Sequence, residues 1–510
     1  MHRTLNTFIL LIYSVALCAQ MDIRDRMGAG NFTNGRVSQR EIDQMQLLGQ
    51  LGEGMARFNI YPGKYWQNGT VNSTLLDSIM SIAYAEGVEP MILFEQYGTP
   101  AGDYTKWKSI GSAYAARYAP GGTWATERNI ENWGVTLYSA FNEPDAMRRD
   151  SNALTFSEYA TALEGLADGV HEVDSSLRVI PGGFMSANAF SDYTLGGYGV
   201  AIAPLLNNGK LDGIDLHTYF GKYAPTSKYR FSAQQNFLAV KRACGVQREI
   251  HFYATEFNYK AHQEPVVEDT AAKHLFTMIW DNLGVCGSDS HTVVSRMALI
   301  WGHFDTAYST GIAHNINPWT PKSRGKTWEM TLNLISHCDF TYADPLDEGI
   351  YILEGVEKKI WVWQNRLQWS SIFGEHFTLH DIPPGTEKIY HYTWAGLQDS
   401  FEVPTTDPEI GPLKKGESHL FLAEKKTFNG LDPRASSHLL QCRSLPGEII
   451  CRSTSGSKIK RLQVLDLGAR ILWQGSGREV YHIPLPGRTR LLLIRYITKD
   501  GSSNTIKLLH

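Results

Sequence analysis

Two glutamates stand at the ends of apolar, strand-like runs: Glu143 in Ser139-Ala140-Phe141-Asn142-Glu143-Pro144-Asp145, and Glu256 in Phe252-Tyr253-Ala254-Thr255-Glu256-Phe257-Asn258-Tyr259. Carboxyl groups are seldom buried without a partner, so such positions invite a chemical explanation. A pair of them suits cleavage of a glycosidic bond. One carboxyl stays protonated to expel the leaving oxygen, and the other stays ionised to meet the positive charge growing at the anomeric carbon. Two carboxylates suffice for that reaction without a cofactor. The sequence holds no Cys/His cluster with zinc spacing, no calcium loop and no phosphate-cradling glycine loop.

Residues this far apart in sequence need a scaffold that gathers strand ends. From about Arg26 to Asp344, short apolar runs alternate with amphipathic segments, the pattern of strand-helix units around a parallel sheet. The strand candidates are Met27 to Phe32, Gly54 to Tyr61, Val88 to Glu95, Gly134 to Ala140, Arg178 to Gly182, Gly213 to Tyr219, Ile250 to Thr255 and Arg296 to Trp301. Eight parallel strands close a (β/α)8 barrel, in which side chains at the C-terminal strand ends share one mouth. Between the strands, Thr155 and Glu158 form a capping box ahead of Tyr159, Leu163, Leu166 and Val170 on one helical face. Helices over Thr74 to Glu86 and Thr270 to Leu283 stop at Gly87 and Gly284. Glu143 thus falls after the fourth strand and Glu256 at the end of the seventh.

At these positions the chain resembles clan A of the retaining glycoside hydrolases, (β/α)8 barrels with an Asn-Glu acid/base pair after strand four and a glutamate nucleophile after strand seven. The resemblance covers roughly residues 50 to 305. It implies that Arg57, in Ala56-Arg57-Phe58-Asn59, holds the nucleophile ionised, and that Asn142 contacts the sugar 2-hydroxyl. His217 and Tyr219, in Asp215-Leu216-His217-Thr218-Tyr219, match a His-x-Tyr after strand six whose tyrosine hydroxyl touches the nucleophile. Trp301, in Leu299-Ile300-Trp301-Gly302, matches a tryptophan that floors the subsite beside the cleaved bond. The expected catalytic pair is Glu143 and Glu256, with Arg57, Asn142, His217, Tyr219 and Trp301 binding substrate and no metal. If the carboxyl groups stand about 5 to 5.5 Å apart, cleavage retains configuration; at about 6.5 to 9.5 Å it inverts. Read by type alone, Arg57 suits a surface ion pair, Trp301 a core residue and His217 a hydrogen-bonded packing residue. Glu95 ends the third strand and reads as a structural acid, while Trp66, His303 and Asp305 are rim-loop candidates.

The remaining features bound the class of protein. At 510 residues the chain exceeds one comfortable core, and a net charge of −4 favours neither nucleic acid nor an anionic membrane surface. Thirteen Trp, 24 Tyr and 21 Phe supply faces on which sugar rings stack. Residues 1–19 have the layout of a cleaved secretory signal, with an apolar run from Phe8 to Leu17. Cys18 could instead carry a lipid anchor, although bulky Leu17 suits that signal poorly. No later run is apolar enough to span a bilayer. Export permits disulfides; Cys442 and Cys451 can pair across a hairpin, Cys244 and Cys286 are a further possible pair, and Cys338 makes the count odd.

The expected organisation is a signal at 1–19, a catalytic barrel at 20–344, a β-sandwich at 345–430 and a small β-domain at 431–510. After Pro345 the pattern turns to short alternating strands, among them Ile350 to Leu353, Lys359 to Gln364, His376 to Leu379, Lys388 to Tyr392 and His419 to Leu422, with Val403 to Ser418 a long loop. The tail offers strands in Ile459 to Leu472, Ile483 to Gly487, Leu491 to Tyr496 and Thr505 to Leu509. It resembles the sorting domain read by Bacteroidetes type IX secretion machinery, departing from it at Arg488-Thr489-Arg490, where a glycine-led strand entry is usual. An accessory β-domain or carbohydrate-binding module fits the same strands. Together with the expected signal at 1–19, the resemblance to clan A implies a secreted or cell-surface retaining β-glycoside hydrolase acting on a plant or algal polysaccharide: glucan, mannan, xylan or agar-type galactan. A non-catalytic glycan-binding protein on a degenerate barrel is the alternative.

Overall fold

The computed structural model describes residues 22–425 except 33–36, 68, 72–73, 96–101, 146–153, 185–192, 221–232, 260–266, 289–290, 304–310, 346–348, 366–375, 404–407 and 415. Beyond 425 it describes seven strands. The expected signal at 1–19 lies outside the described residues. Contacts divide the chain into two compact units, Met1–Lys425 and Lys426–His510.

The first unit begins with eight parallel strands: β1 (Met27–Phe32), β2 (Met55–Ile60), β3 (Glu89–Phe94), β4 (Leu137–Ala140), β5 (Arg178–Pro181), β6 (Gly213–Phe220), β7 (His251–Tyr259) and β8 (Ser295–Trp301). Their order is β5-β4-β3-β2-β1-β8-β7-β6. The gap between β5 and β6 is bridged at Phe184, which pairs in parallel with Leu216; its N–H donates to the Asp215 carbonyl at 3.1 Å and its carbonyl accepts from His217 N at 2.9 Å. Eight helices alternate with the strands: α1 (Gln39–Leu51), α2 (Thr74–Glu86), α3 (Tyr104–Tyr118), α4 (Phe156–Val173), α5 (Tyr193–Asn207), α6 (Ala233–Ala243), α7 (Glu268–Leu283) and α8 (Ser323–Ile335). This is the (β/α)8 barrel that the apolar alternation implied.

Strand alternation explains which side chains reach the mouth. On β2, Ala56, Phe58 and Ile60 pack outward into the main core under the helices, while Met55 enters a separate inner core with Met91, Leu137, Ile180, Tyr253, Met297 and Leu299. Successive side chains of a strand point to opposite faces, so Arg57 and Asn59 continue the inward row above Met55. The same parity places Glu95 above Met91 and Trp301 above Leu299. The helices form for the reasons read from sequence. Thr155 Oγ1 accepts from Glu158 N at 3.2 Å while the Glu158 carboxylate takes the Thr155 N–H at 2.8 Å, and Tyr159, Leu163, Leu166 and Val170 are fully buried. Helix α2 stops at Gly87, whose φ of 72° is the left-handed conformation that ends helices.

An antiparallel sheet follows: β9 (Cys338–Asp344), β10 (Ile350–Gly355), β11 (Lys358–Asn365), β12 (Lys388–Thr393), β13 (Gly396–Glu402) and β14 (Glu417–Glu424), in the order β9-β10-β11-β14-β12-β13. One face lies on α7, where Gln364 donates to the Thr277 carbonyl at 3.0 Å and Lys273 meets Glu417 at 3.2 Å. The other face carries a small core of Trp361, Trp363, Phe377, Leu379 and Phe421. Strands β9 and β13 have no counterpart in the sequence reading. The first leads out of the last barrel helix, and its apolar residues merge into the barrel pattern.

The second unit holds β15 (Leu440–Leu445), β16 (Glu448–Ser453), β17 (Arg461–Leu465), β18 (Ile471–Gly475), β19 (Val480–Pro484), β20 (Leu491–Ile497) and β21 (Ser503–Leu509) in sheets of three and four strands. Cys451 is disulfide-bonded, and Cys442 stands opposite it in the β15–β16 register. The possible Cys244–Cys286 bridge is not formed. Both are buried free thiols, as is Cys338, and burial pushes the Cys244 and Cys286 thiols up to about 12. Among the described residues no helix is long and apolar enough to cross a membrane.

Candidate active site

The site is assembled from the C-terminal ends of β2, β4, β6 and β7. Beyond β4 the chain turns sharply, with Phe141 at φ 67° and Glu143 at φ 48°, a left-handed conformation that costs about 1 to 3 kcal/mol per residue without glycine. Tertiary bonds enforce it: Phe141 N donates to the Phe94 carbonyl at 2.9 Å and Glu143 N to the Gly183 carbonyl at 3.0 Å. On β7 the register slips by one residue against both neighbours. Tyr253 and Glu256 pair with Asp215 and His217, and Ala254 and Phe257 with Ala298 and Ile300. A bulge of this kind re-aims a side chain, and here it lets the consecutive residues Thr255 and Glu256 both serve the mouth. The strand continues to Tyr259 rather than ending at Thr255 as the sequence suggested.

Glu143, His217 and Glu256 bring their donor atoms within 4.8 Å of one another. His217 is the hinge of the group. Its Nδ1 stands 2.7 Å from Glu143 Oε1 and 3.4 Å from Glu256 Oε2, and its Nε2 3.2 Å from Thr255 Oγ1. The proton on Nε2 follows from the network. Thr255 Oγ1 donates its own hydrogen to Asp215 Oδ2 at 2.6 Å, so it accepts from Arg57 Nη1 at 3.2 Å and from His217 Nε2. With Nδ1 facing a carboxylate as well, His217 is an imidazolium. Burial works against that charge, but Glu256, Glu143 and Asp215 outweigh it and hold the ring up to about 9.

The two carboxylates are unlike in their surroundings. Burial would raise Glu256, yet His217, Arg57 and Tyr219 together hold it below the ordinary glutamate range. Arg57 Nη2 donates to Oε1 and the Tyr219 hydroxyl to Oε2, the latter at 2.5 Å. Burial, with Glu256 beside it, pushes the Tyr219 phenol well above its usual value, so it stays a donor. Among the described residues Glu143 has the one side-chain partner His217, and it is more open, with its side chain 23% exposed against 5% for Glu256. That asymmetry separates a carboxylate fixed as an anion from one with access to solvent.

Five of the seven expected site residues, Arg57, Glu143, His217, Tyr219 and Glu256, form one hydrogen-bonded group. Asn142 lies between the two left-handed residues with its buried Oδ1 unbonded among the described residues. Trp301 closes β8 half-buried and joins no hydrogen bond of the group; its carbonyl accepts from Asn258 Nδ2 at 3.0 Å. Arg57 is not in a surface ion pair, since it is fully buried and bonds Glu256, while His217 is buried and hydrogen-bonded to Glu143. His303 is not a rim residue: it is fully buried, with Nε2 2.9 Å from Glu53 Oε1, to which Trp328 also donates. Trp66 is half-buried against the main core, and Asp305 lies outside the described residues. Sequence reasoning missed Asn59, Thr255 and Asp215. Inward parity on β2 and β6 signals Asn59 and Asp215, whereas Thr255 depends on the bulge.

The Glu143-His217-Glu256 triad also has the composition of a metal ligand set. Its donors are already committed: the imidazolium bonds Glu143, and the guanidinium occupies Glu256. A metal ion there would face two positive groups.

Solved structures share this architecture. A glucosidase from Croceicoccus marinus superposes with a TM-score of 0.53 over 79% of this chain and 97% of that one at 10% identity. The corresponding values for a family 39 β-xylosidase from Caulobacter crescentus are 0.51, 79%, 97% and 14%. For a family 39 glycoside hydrolase from the gut symbiont Bacteroides cellulosilyticus WH2 they are 0.50, 79%, 82% and 14%. The chain has the fold of these glycoside-hydrolase barrels. No family model and no curated protein matches it by sequence.

Proposed function

We propose that the chain is a retaining β-glycoside hydrolase in which Glu256 is the nucleophile and Glu143 the acid/base. The observation that carries this reading is the pair of carboxylates with oxygens no more than 4.8 Å apart in opposite environments. With one oxygen of each within that distance, the spacing lies nearer the about 5 to 5.5 Å of double-displacement enzymes than the about 6.5 to 9.5 Å of inverting ones, which supports retention. Glu256, held ionised by Arg57, Tyr219 and His217, attacks the anomeric carbon. The bond to the leaving oxygen breaks, and that oxygen takes the proton of Glu143. Glu143 then removes a proton from water, which displaces Glu256 from the anomeric carbon and restores the starting configuration. The unbonded Oδ1 of Asn142 supports its reading as the contact for the 2-hydroxyl, and strand parity supports Trp301 at the same mouth.

The fold likeness to a glucosidase and a β-xylosidase, together with the resemblance of the motifs, supports a β-linked glucan, mannan, xylan or agar-type galactan as substrate, met outside the cell. Aryl β-glycosides and the four polysaccharides are the first panel. Glu143→Gln should lower kcat by about 10² to 10⁴-fold, the range of a lost acid/base, and Glu256→Gln, which removes the nucleophile, by at least as much, while sugar binding persists. Nuclear magnetic resonance of the first-formed anomer should show retention. Undiminished turnover in either variant, or an inverted product, ends the assignment; glycan binding without turnover by the unmodified chain supports a binding protein instead.

A further inference from the structure

The third barrel strand ends on a carboxylate that the proposed reaction does not use. Ile92 and Phe94 pack outward and Met91 lies in the inner core, so alternation turns Glu95 into the mouth. Its backbone is pinned there by a 2.7 Å bond from Glu95 N to the Ile60 carbonyl. The residue is 7% exposed. Oε1 accepts from Asn59 Nδ2 at 2.8 Å, and Asn59 Oδ1 in turn accepts from Arg57 Nε at 3.2 Å, which sets Glu95 two bonds from the guanidinium that grips Glu256. Burial pushes its carboxyl up, Arg57 and Asn59 oppose the rise, and Glu256 and Glu143 add to it, so Glu95 lies in the field of both candidate catalytic groups. Among the described residues nothing bonds Oε2, and it is not one of the oxygens sealed from solvent without a partner, so it keeps an opening to solvent. An acceptor oxygen that has no protein donor and is open to solvent can take a ligand hydroxyl in place of water. Holding Asn59 needs only one acceptor oxygen, which a glutamine would supply.

The charges around it restrict the ligand. Arg57 commits Nε to Asn59, Nη1 to Thr255 and Nη2 to Glu256, and His217 commits both nitrogens. His217 has no donor left for an anionic sugar, Arg57 is fully buried beneath the carboxylate it grips, and Glu95, Glu143, Asp215 and Glu256 would repel an anion.

We propose that Glu95 is a substrate-binding residue whose second oxygen accepts a hydrogen bond from a secondary hydroxyl of an uncharged glycosyl unit seated between Glu143 and Glu256. The assignment rests on the hydrolase reading and deepens it. Asn142 is matched to the 2-hydroxyl, which leaves the ring hydroxyls at positions 3 and 4 for Glu95.

The test uses the full chain and whichever neutral 4-nitrophenyl β-glycoside it cleaves fastest, with the 3-deoxy and 4-deoxy analogues of that glycoside and its uronide. Glu95→Gln should lower kcat/KM on the parent glycoside by about 10- to 100-fold, the loss expected of a charged hydrogen bond. On the analogue that lacks the bonded hydroxyl the same substitution should cost less than about twofold, because no bond remains to lose. Equal losses on the parent and both analogues would reduce Glu95 to a support for Asn59 and overturn the assignment. Faster cleavage of the uronide than of the neutral parent overturns the uncharged-sugar part. If Glu95→Gln does not fold, Glu95→Asp carries the same comparison. No turnover of any glycoside by the unmodified chain removes the hydrolase reading itself and this one with it, whereas turnover with equal losses removes only the role of Glu95.

Discussion

Replacing Gly183 by alanine adds a single methyl group beneath the His217 ring. A Cβ at Gly183 would stand 2.1 Å from both Cδ2 and Nε2 of His217 and 3.0 Å from Cε1. Non-bonded carbon atoms settle near about 3.5 Å, so relief requires the ring or the loop to retreat by about 1.4 Å. The ring has little freedom to do so. Nδ1 is held 2.7 Å from Glu143, Nε2 3.2 Å from Thr255, and the side chain is fully buried. A retreat of that size stretches at least one of these contacts past hydrogen-bonding range. Moving Gly183 instead disturbs the 3.0 Å bond from Glu143 N to the Gly183 carbonyl, which holds Glu143 in its left-handed turn. Misplacing reacting groups by about 1 Å costs on the order of 10²-fold, and overpacking costs about 1 to 3 kcal/mol. Gly183→Ala should therefore fold with a modest loss of stability and lose about 10²-fold in kcat/KM on an aryl glycoside. Initial rates and urea denaturation measure the two effects side by side. A folded variant with kcat/KM within about twofold of the parent would show that the His217 position is not what organises the two carboxylates.

Two further predictions concern the charges around His217. Because its folded value is raised from 6.5 to about 9, its charge stabilises the fold fully below about pH 6.5, and that contribution is lost as pH rises through 9. Glu256, lowered from 4.5, contributes above that value and loses its contribution as pH falls through its folded value. Urea midpoints should hence be highest between about pH 5 and 6.5 and decline toward pH 9 to 10, and His217→Asn should flatten the alkaline decline; an unchanged decline in that variant would exclude His217 as its source. Thr255→Val keeps the shape of the side chain but removes the hydroxyl that bonds Asp215, His217 and Arg57, leaving buried polar groups unmatched. It should cost about 1 to 3 kcal/mol by thermal denaturation and shift the alkaline limb of the pH-rate profile, with Thr255→Ser restoring both; a profile that does not move would make Thr255 a packing residue only.

The barrel was legible because its signals are local. Strand alternation, the Thr155-Glu158 capping box and the stop at Gly87 each depend on a few adjacent residues, and eight such units admit few architectures. Glu143 and Glu256 were legible for the same reason, as polar groups closing apolar strands. The antiparallel sheet was less so: β9 continues the apolar character of the barrel, and only its pairing with β10 assigns it to the second layer.

What the tertiary structure alone decided are relations between strands distant in sequence. The extra residue on β7 near Thr255 exists only relative to β6 and β8, and without that register slip Thr255 and Glu256 would face opposite sides. The Gly183 backbone lies against a ring 34 residues later in the chain, and His303 turns into the helical layer beside Glu53 rather than to the rim. The imidazolium state of His217 requires a hydroxyl from β7, carboxylates from the turn after β4 and from β6 and β7, and burial by all of them. Periodicity in a sequence specifies which face a residue takes within its own element. Which groups then meet, and in what charge state, is set by the packing of elements against one another, where the low dielectric makes each neighbour count.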